Sequence, residues 1–340
     1  MNIIITGGGT GGHLIIAKTF GEELKNRGIN VIFVGSTHGQ DRAWFENSEI
    51  FSEKYFLQSS GVVNKKGLGK ILSLLNITKL ALDAKKIIAK HQAKAVISVG
   101  GYSAAAAAFG AILSHTPLFI HEQNAVIGRL NQLLKSRSAG FYSSYFEPKF
   151  DYPVNPVFFK TARVRQELET IIFLGGSQGA KFINDLALAL APKLNQKGIK
   201  IIHQCGQKDF DRVNLAYKDL GIDAEVLGFC SDLQNKMAKA DLCVGRSGAS
   251  TLWELCANAL PSIFVPFPHA AADHQYTNAK FLADMGLAKV IRQNEISNDE
   301  FLGEIMDFNI HRASMGLQNT IAYNTHSPII DDILAKLGKI

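Results

Sequence analysis

The residues of this chain best able to do chemistry lie in two glycine-rich turns, IIITGGGTGGH at 3–13 and TIIFLGGSQGA at 170–180. Each follows a short apolar run and opens a helical pattern. Such a turn aims backbone N–H groups and the positive end of a helix dipole at one point, with no side chain to keep an anion away. Two of them, at matching places in the two halves of the chain, predict two Rossmann-like halves closing on a phosphate-bearing ligand. Gly7, Gly9 and Gly12 satisfy G-x-G-x-x-G, and Gly7 to Gly12 also has the spacing of a Walker loop. The surroundings fit neither motif. A dinucleotide fold asks for an acid at the end of the second strand to hold a ribose, whereas Val31-Ile32-Phe33-Val34 runs into Gly35-Ser36. A Walker loop asks for Lys and then Ser or Thr, whereas His13 and Leu14 follow. What remains is a glycine loop ending in an imidazole, a group suited to proton transfer beside a phosphate or a sugar.

The second half carries a third candidate cradle. Leu242-Cys243-Val244 leads into Gly245-Arg246-Ser247-Gly248-Ala249-Ser250 and then a helical pattern, which places small residues and hydroxyls at a helix N-terminus. Glu254 falls one turn into that helix, where a carboxylate can accept from both hydroxyls of a ribose. Pro266-Phe267-Pro268 stiffens a loop that delivers His269 and Asp273-His274-Gln275 to the start of another helix. Side chains that both donate and accept at such a turn suit sugar hydroxyls. Structural roles stand beside these. Five glycines in residues 7–12 could serve close packing, although their entropy cost favours a ligand; His13 could neighbour a helix cap, and Glu254 could be solvated. His121 and His203, at strand ends, are expected to satisfy backbone groups.

The elements that must position these residues alternate strand and helix, the signature of parallel α/β architecture. Strands are predicted at 2–6, 31–35, 95–99 and 117–121, then at 170–174, 199–203, 224–228, 241–244 and 262–265. Helices are predicted at 13–27, 70–91, 182–197, 250–259 and 275–285, with a last one near 328–338. A chain of 340 residues exceeds one ordinary core, so two domains are expected, at roughly 100–200 residues each. The stretch 147–156 holds three prolines without periodicity and reads as the linker. The expected division is 1–150, 160–325, and a helix at 326–340 that could pack back on the first domain.

Met1 leads directly into the first strand without a basic stretch or isolated apolar segment, which predicts no secretory signal. No apolar run reaches the ~18 residues of a membrane span, and the alanine-rich stretch 104–113 reads as a buried helix. Cys205, Cys230, Cys243 and Cys256 are far apart and are expected to be reduced thiols without a metal. A net charge of +6 favours an anionic partner. The helix at 70–91 carries two apolar stripes. Leu74, Ile77, Ala81, Ala84 and Ile88 form an ordinary core face. Ile71, Leu72, Leu75 and Leu82 lie near Lys65, Lys66, Lys70, Lys79, Lys85 and Lys86, a pattern that fits docking on anionic lipid; burial on two sides is the alternative.

Taken together, GGTGGH at 8–13, GGYSA at 100–104, HEQN at 121–124, NPV at 155–157, GGSQGA at 175–180, RSGA at 246–249 and HQY at 274–276 resemble the GT-B glycosyltransferases. More narrowly, the chain is similar over nearly its whole length to the bacterial transferases that add N-acetylglucosamine to undecaprenyl-pyrophosphoryl-N-acetylmuramoyl-pentapeptide. The resemblance implies two Rossmann-like domains with parallel sheets facing across a cleft. It implies that Thr10, Gly11 and Gly12 contact the donor's sugar-diphosphate end and that Asn124 binds the N-acetylglucosamine. Ser177 and Gln178 would hold phosphate, with Ser247, Gly248 and Ala249 as the cradle. The backbone at Cys230 would read uracil, Glu254 would hold ribose and Gln275 would bind sugar hydroxyls. His13, the candidate base, would face the lipid-linked acceptor together with Gly101 and Tyr102. Leu72, Leu75, Lys79 and Leu82 would dock on the membrane. One departure stands out: the family's Asn-Pro-Val-Arg reads Asn155-Pro156-Val157-Phe158 here, so either Lys160 or Arg163 supplies the charge or the enzyme does without it.

The implied reaction is a single inverting displacement by a hexosyltransferase. The acceptor's 4-hydroxyl attacks the anomeric carbon of UDP-N-acetylglucosamine, giving the β-1,4 linkage of lipid II from lipid I with no cofactor or protein-bound metal. The implied setting is peptidoglycan synthesis, and with it cell shape and division, at the cytoplasmic face of the inner membrane. The partners would be anionic phospholipid and cell-wall synthesis or division proteins, not nucleic acid. Asp209-Phe210-Asp211 is formally a D-x-D metal signature of the other large glycosyltransferase fold, but its place after a short strand predicts a surface role. The alternatives are a GT-B enzyme with another lipid acceptor, an NAD-dependent oxidoreductase, or a non-catalytic sugar-binding or nucleotide-sensing module.

Overall fold

A computed structural model of the chain describes residues 1–59, 68–176, 179–293, 295–323 and 327–338, leaving out the side chains of 68–74. The chain forms two compact units, Met1–Pro153 with Asn324–Ile340, and Val154–Tyr323.

In the first unit the chain runs β1 (Asn2–Thr6), α1 (Gly11–Asn26), β2 (Asn30–Ser36), α2 (Asp41–Phe45), β3 (Glu53–Leu57), α3 (Leu68–Lys90), β4 (Ala95–Ser98), α4 (Ala105–Leu113), β5 (Leu118–Glu122), α5 (Arg129–Leu134) and β6 (Gly140–Ser143). The second unit runs α6 (Pro156–Lys160), β7 (Thr170–Leu174), α7 (Lys181–Gln196), β8 (Lys200–Gln204), α8 (Phe210–Asp219), β9 (Ala224–Leu227), α9 (Leu233–Lys239) and β10 (Leu242–Gly245). It continues with α10 (Ala249–Ala257), β11 (Ser262–Phe264), α11 (His274–Asp284), β12 (Ala288–Val290), α12 (Asn298–Met306) and α13 (Ile310–Leu317), and α14 (Pro328–Lys336) returns to the first unit.

Both sheets are parallel and share one topology. Their strand orders are β3-β2-β1-β4-β5-β6 and β12-β11-β10-β7-β8-β9. Central strands carry unbroken apolar runs because helices cover both faces: Ile3, Ile4 and Ile5 are wholly buried, as are Ile171, Ile172 and Phe173. In register, Ile5 lies beside Phe33 on one side and Ile97 on the other. The strand order reverses between β1 and β4 and between β7 and β10, and at such a switch point the loops leaving the carboxyl ends of the strands part to admit a ligand. The glycine turns follow those strands.

Three strands escape the sequence pattern. β3 (EKYFL) and β6 (GFYS) are the edges of the first sheet and β12 (AKV) is an edge of the second, so each pairs on one side only and needs no continuous apolar run. The proline-rich stretch is more than a linker. Tyr152 and Val154 are buried, and Asn155 caps α6 by accepting the Val157 N–H at 3.0 Å, with Pro156 in the first turn. The last helix packs on α1 within the first unit: Asp331 pairs with Arg27 at 2.6 Å, the Glu23 carboxylate accepts the Ser327 N–H at 2.9 Å, and Tyr142 donates to Asp332 at 2.7 Å.

In the second unit Arg165 is fully buried and has no carboxylate partner among the described residues. Its guanidinium donates instead to the carbonyls of Met237, Ala240, Arg163 and Asn258 and to the Asn258 side chain. Met237 and Asn258 lie at the ends of α9 and α10, so a cation meets the negative ends of two helix dipoles.

Candidate active site

In the first unit the loops after β1 and β4 touch through their backbones. The Gly8 N–H donates to Gly100 O at 3.1 Å, and a Cβ on Gly101 would stand 2.2 Å from Gly8 O, so this contact needs glycine. The Tyr102 ring lies over Gly9, leaving no room for a Cβ there. At the start of α1, Thr10 Oγ1 and His13 Nδ1 are 3.0 Å apart, and the His13 ring lies against Gly100. This bond orients the ring. Thr10, Gly11, Gly12, His13, Gly101 and Tyr102 thus gather at one end of the sheet. Asn124 joins them on the loop after β5, shaped by Glu122, whose carboxylate accepts from the backbone of Asn124 (3.0 Å) and Gly128 (2.8 Å) and from the Asn131 side chain (2.8 Å).

β2 closes on Gly35-Ser36 without an acid at its end, and the acid that meets the glycine loop comes from the next helix. Asp41, wholly buried at the start of α2, accepts the N–H of Gly9 at 2.5 Å and of Ser36 at 2.8 Å. Its carboxylate stands against the glycine loop, where a dinucleotide fold would place the cofactor's diphosphate and ribose. The loop is therefore built around an internal anion, which argues against the oxidoreductase alternative. Burial raises the Asp41 carboxyl above its ordinary range, offset in part by these N–H groups. Asp41 and Glu122 were missed as organisers because their partners are set by tertiary contact; the only local signals are an acid in a helix's first turn and the HEQN motif.

The second unit gathers its residues around α10. The turn Ser247-Gly248-Ala249 opens this helix, and the buried Ser247 hydroxyl has no hydrogen-bond partner among the described residues. Glu254, half-buried one turn on, has a carboxyl without a partner among the described residues, and burial pushes it up to about 8. An unpartnered acid of this kind is poised for an incoming hydroxyl donor. Arg246 donates to Val265 O (2.9 Å), Pro266 O (3.0 Å) and the Gln293 side chain (3.0 Å) and has no carboxylate partner among the described residues. Burial lowers it to about 10, so it stays charged at neutral pH beside the cradle. Gln275 accepts the Phe267 N–H at 2.9 Å through its carbonyl oxygen, which leaves its NH2 for a ligand. The Cys230 thiol donates to Asp232 at 3.3 Å, next to an exposed Phe229. Ser177 and Gln178 lie outside the described residues.

Other expectations change. His203 bonds the side chains of Tyr217 (3.0 Å) and Asn184 (3.1 Å) rather than backbone, and buried His121 has no hydrogen-bond partner among the described residues. Desolvation lowers His121 to about 3, so it stays neutral. Arg163 is engaged with Asp241 at 2.6 Å and with the carbonyls of Ala238 and Ala240, and Phe158 is buried with its carbonyl accepting from Asn258. Of the two residues considered for the missing charge, Arg163 is thus committed elsewhere. Asp209 is held by Arg212 and Asn184. The four cysteines are free thiols. On α3, Ala81, Ala84 and Ile88 are buried, while Leu75 is 63% and Leu82 49% exposed and Lys79 is exposed. The Leu72 side chain lies outside the described residues. No described helix is long and apolar enough to cross a membrane.

Two parallel sheets of one topology, each with glycine turns at its switch point, define a GT-B glycosyltransferase. Residues 3–142 match the N-terminal domain model of glycosyltransferase family 28 and residues 170–324 its C-terminal domain model, and the chain belongs to this family. It is 56% identical over 337 residues, covering 99% of this chain and 98% of the relative, to UDP-N-acetylglucosamine--N-acetylmuramyl-(pentapeptide) pyrophosphoryl-undecaprenol N-acetylglucosamine transferase of Campylobacter hominis. It is 51% identical to the protein of the same name in Sulfurimonas denitrificans, covering 99% of this chain and all of the relative. The crystal structure of Acinetobacter baumannii MurG matches with a TM-score of 0.77 at 25% identity, covering 100% of this chain and 99% of that one.

Proposed function

We propose that this glycosyltransferase moves N-acetylglucosamine from UDP-N-acetylglucosamine to undecaprenyl-pyrophosphoryl-N-acetylmuramoyl-pentapeptide, making lipid II for peptidoglycan. The observation that carries this is full-length identity of 50–56% to relatives that bear this one name. The second unit is the donor side in this scheme. Glu254 takes the ribose hydroxyls, the backbone at Cys230 takes uracil, and the second glycine turn together with the Ser247-Gly248-Ala249 turn and Arg246 takes the diphosphate. As the bond to the leaving UDP breaks, the growing charge is met by the α10 N-terminus and the Arg246 cation, so the reaction asks for no resident metal or cofactor.

The first unit is the acceptor side. His13, oriented by Thr10, removes the proton from the acceptor's 4-hydroxyl as that oxygen attacks the anomeric carbon, with inversion to a β-1,4 linkage. Tyr102 and Gly101 border the same loop, and Asn124 takes the N-acetylglucosamine. Because the acceptor is anchored in lipid, the enzyme works peripherally at the cytoplasmic face of the membrane. The exposed Leu75 and Leu82 with Lys79 support contact with an anionic surface. Incubation with radiolabelled UDP-N-acetylglucosamine and lipid I tests the function: label enters the lipid fraction, and a failure to label lipid I while another lipid is labelled would reassign the acceptor.

A further inference from the structure

We infer that Gln204 is a positioning residue that sets the distance between the phosphate-side and base-side loops of the donor site, an inference that rests on the nucleotide assignment proposed above. Gln204 ends β8, and β8 lies between β7 and β9. The loop leaving β7 passes through Gly175 and Gly176 toward the second glycine turn. The loop leaving β9 passes through Gly228 toward Phe229 and Cys230.

Each of those loops is tied back to this one residue. The buried Gln204 amide donates one N–H to Gly176 O at 3.1 Å and one to Gly228 O at 3.2 Å, while its own backbone carbonyl accepts the Gly175 N–H at 2.9 Å. A primary amide suits this place because it carries two donors on one planar nitrogen, which can fork to acceptors on opposite sides. A hydroxyl has a single hydrogen, and a buried ammonium would bring an unpaired charge. Both loops pack closely on their neighbours at this point. A Cβ on Gly228 would lie 2.7 Å from the Gln207 side chain, and one on Gly179 would lie 2.5 Å from Cys205 O, so the backbone is already in contact with its neighbours. Without the amide, two buried carbonyls lose their donors and the loops lose their shared reference point. A uridine diphosphate needs both loops at once, the base on one and the phosphates on the other. Gln204 therefore contributes to affinity and to the choice of base without touching the ligand.

The test is Gln204→Met, which keeps the volume and removes both donors, with Gln204→Asn, whose amide sits on a stem too short to span both carbonyls, as the second variant should the first not fold. Calorimetry is run with UDP and with CDP on the full-length protein, together with donor kinetics. The expected result is a UDP Kd raised about tenfold, from two lost hydrogen bonds. The ratio of CDP to UDP dissociation constants falls severalfold, and the donor KM rises while kcat changes much less. A folded variant whose UDP affinity and base preference equal those of the wild type overturns the inference, even if its Tm is lower, because a packing role alone does not alter selectivity. Wild-type protein that binds neither nucleotide would overturn the nucleotide assignment itself, a different outcome from unaltered selectivity in the variant.

Discussion

The carboxylate of Asp41 lies 2.5 Å from the backbone nitrogen of Gly9, across 32 residues of sequence, and holds the first glycine loop from within. A motif that in other folds offers its N–H groups to a bound diphosphate here gives one of them to its own side chain. The loop becomes a rigid seat for Thr10 and His13.

Replacing Asp41 by Asn leaves one oxygen for two N–H groups and turns an NH2 toward the other. Loss of about 1–3 kcal/mol of stability is expected, the cost of one unsatisfied buried donor. Urea denaturation of wild type and variant measures it. An unchanged midpoint and slope would mean that the loop keeps its shape without the acid.

Glu254→Ala is expected to weaken UDP binding by ~1–3 kcal/mol, since the ribose hydroxyls lose their carboxyl partner. Calorimetry gives the value, and unaltered affinity removes Glu254 from the site. The raised carboxyl also has a sign for stability. Burial lifts it from 4.5 to about 8, so the native state holds a proton that the unfolded chain releases, and stability falls as pH rises between those values. Relative to Glu254→Gln, the wild type should lose about 1–3 kcal/mol between pH 5 and 8.5, less than full burial would give because the group is half-buried. Paired denaturation curves at the two pH values decide this.

His13→Ala is expected to lower kcat by ~10²–10⁴ if the ring removes the acceptor's proton, with UDP affinity nearly intact. Thr10→Val, which removes the hydroxyl 3.0 Å from Nδ1, should reproduce a smaller part of the loss. A decrease below tenfold for His13→Ala would place proton removal elsewhere.

Leu75→Ser with Leu82→Ser should reduce binding to anionic vesicles and leave UDP affinity as it is, because both side chains are largely exposed and lie in the first unit. Sedimentation with vesicles reads the effect. Raised salt should also release the wild type, since charge attraction is screened beyond about 10 Å at 0.1 M. Equal vesicle binding by the double variant would move the docking surface off α3.

Much of the architecture and the identity of the chemical groups can be read along the chain. Ile3-Ile4-Ile5 and Ile171-Ile172-Phe173 announce buried parallel strands, and the glycines that follow them announce helix openings at a switch point, because each signal lies within about ten residues. Glu254 is legible for the same reason, one helical turn from Ser247-Gly248. Tertiary structure alone decided the rest. Strand order brings β1 beside β4, so Gly8 meets Gly100, and it sets Asp41 against Gly9. It also places Gln204 between Gly176 and Gly228 and joins Arg27 to Asp331 across 304 residues. Edge strands such as β3 bury too little to write an apolar pattern, and a buried amide or carboxylate has no periodicity. Their partners are distant backbone groups, chosen by the packing of whole elements, and no local run of residues records that choice.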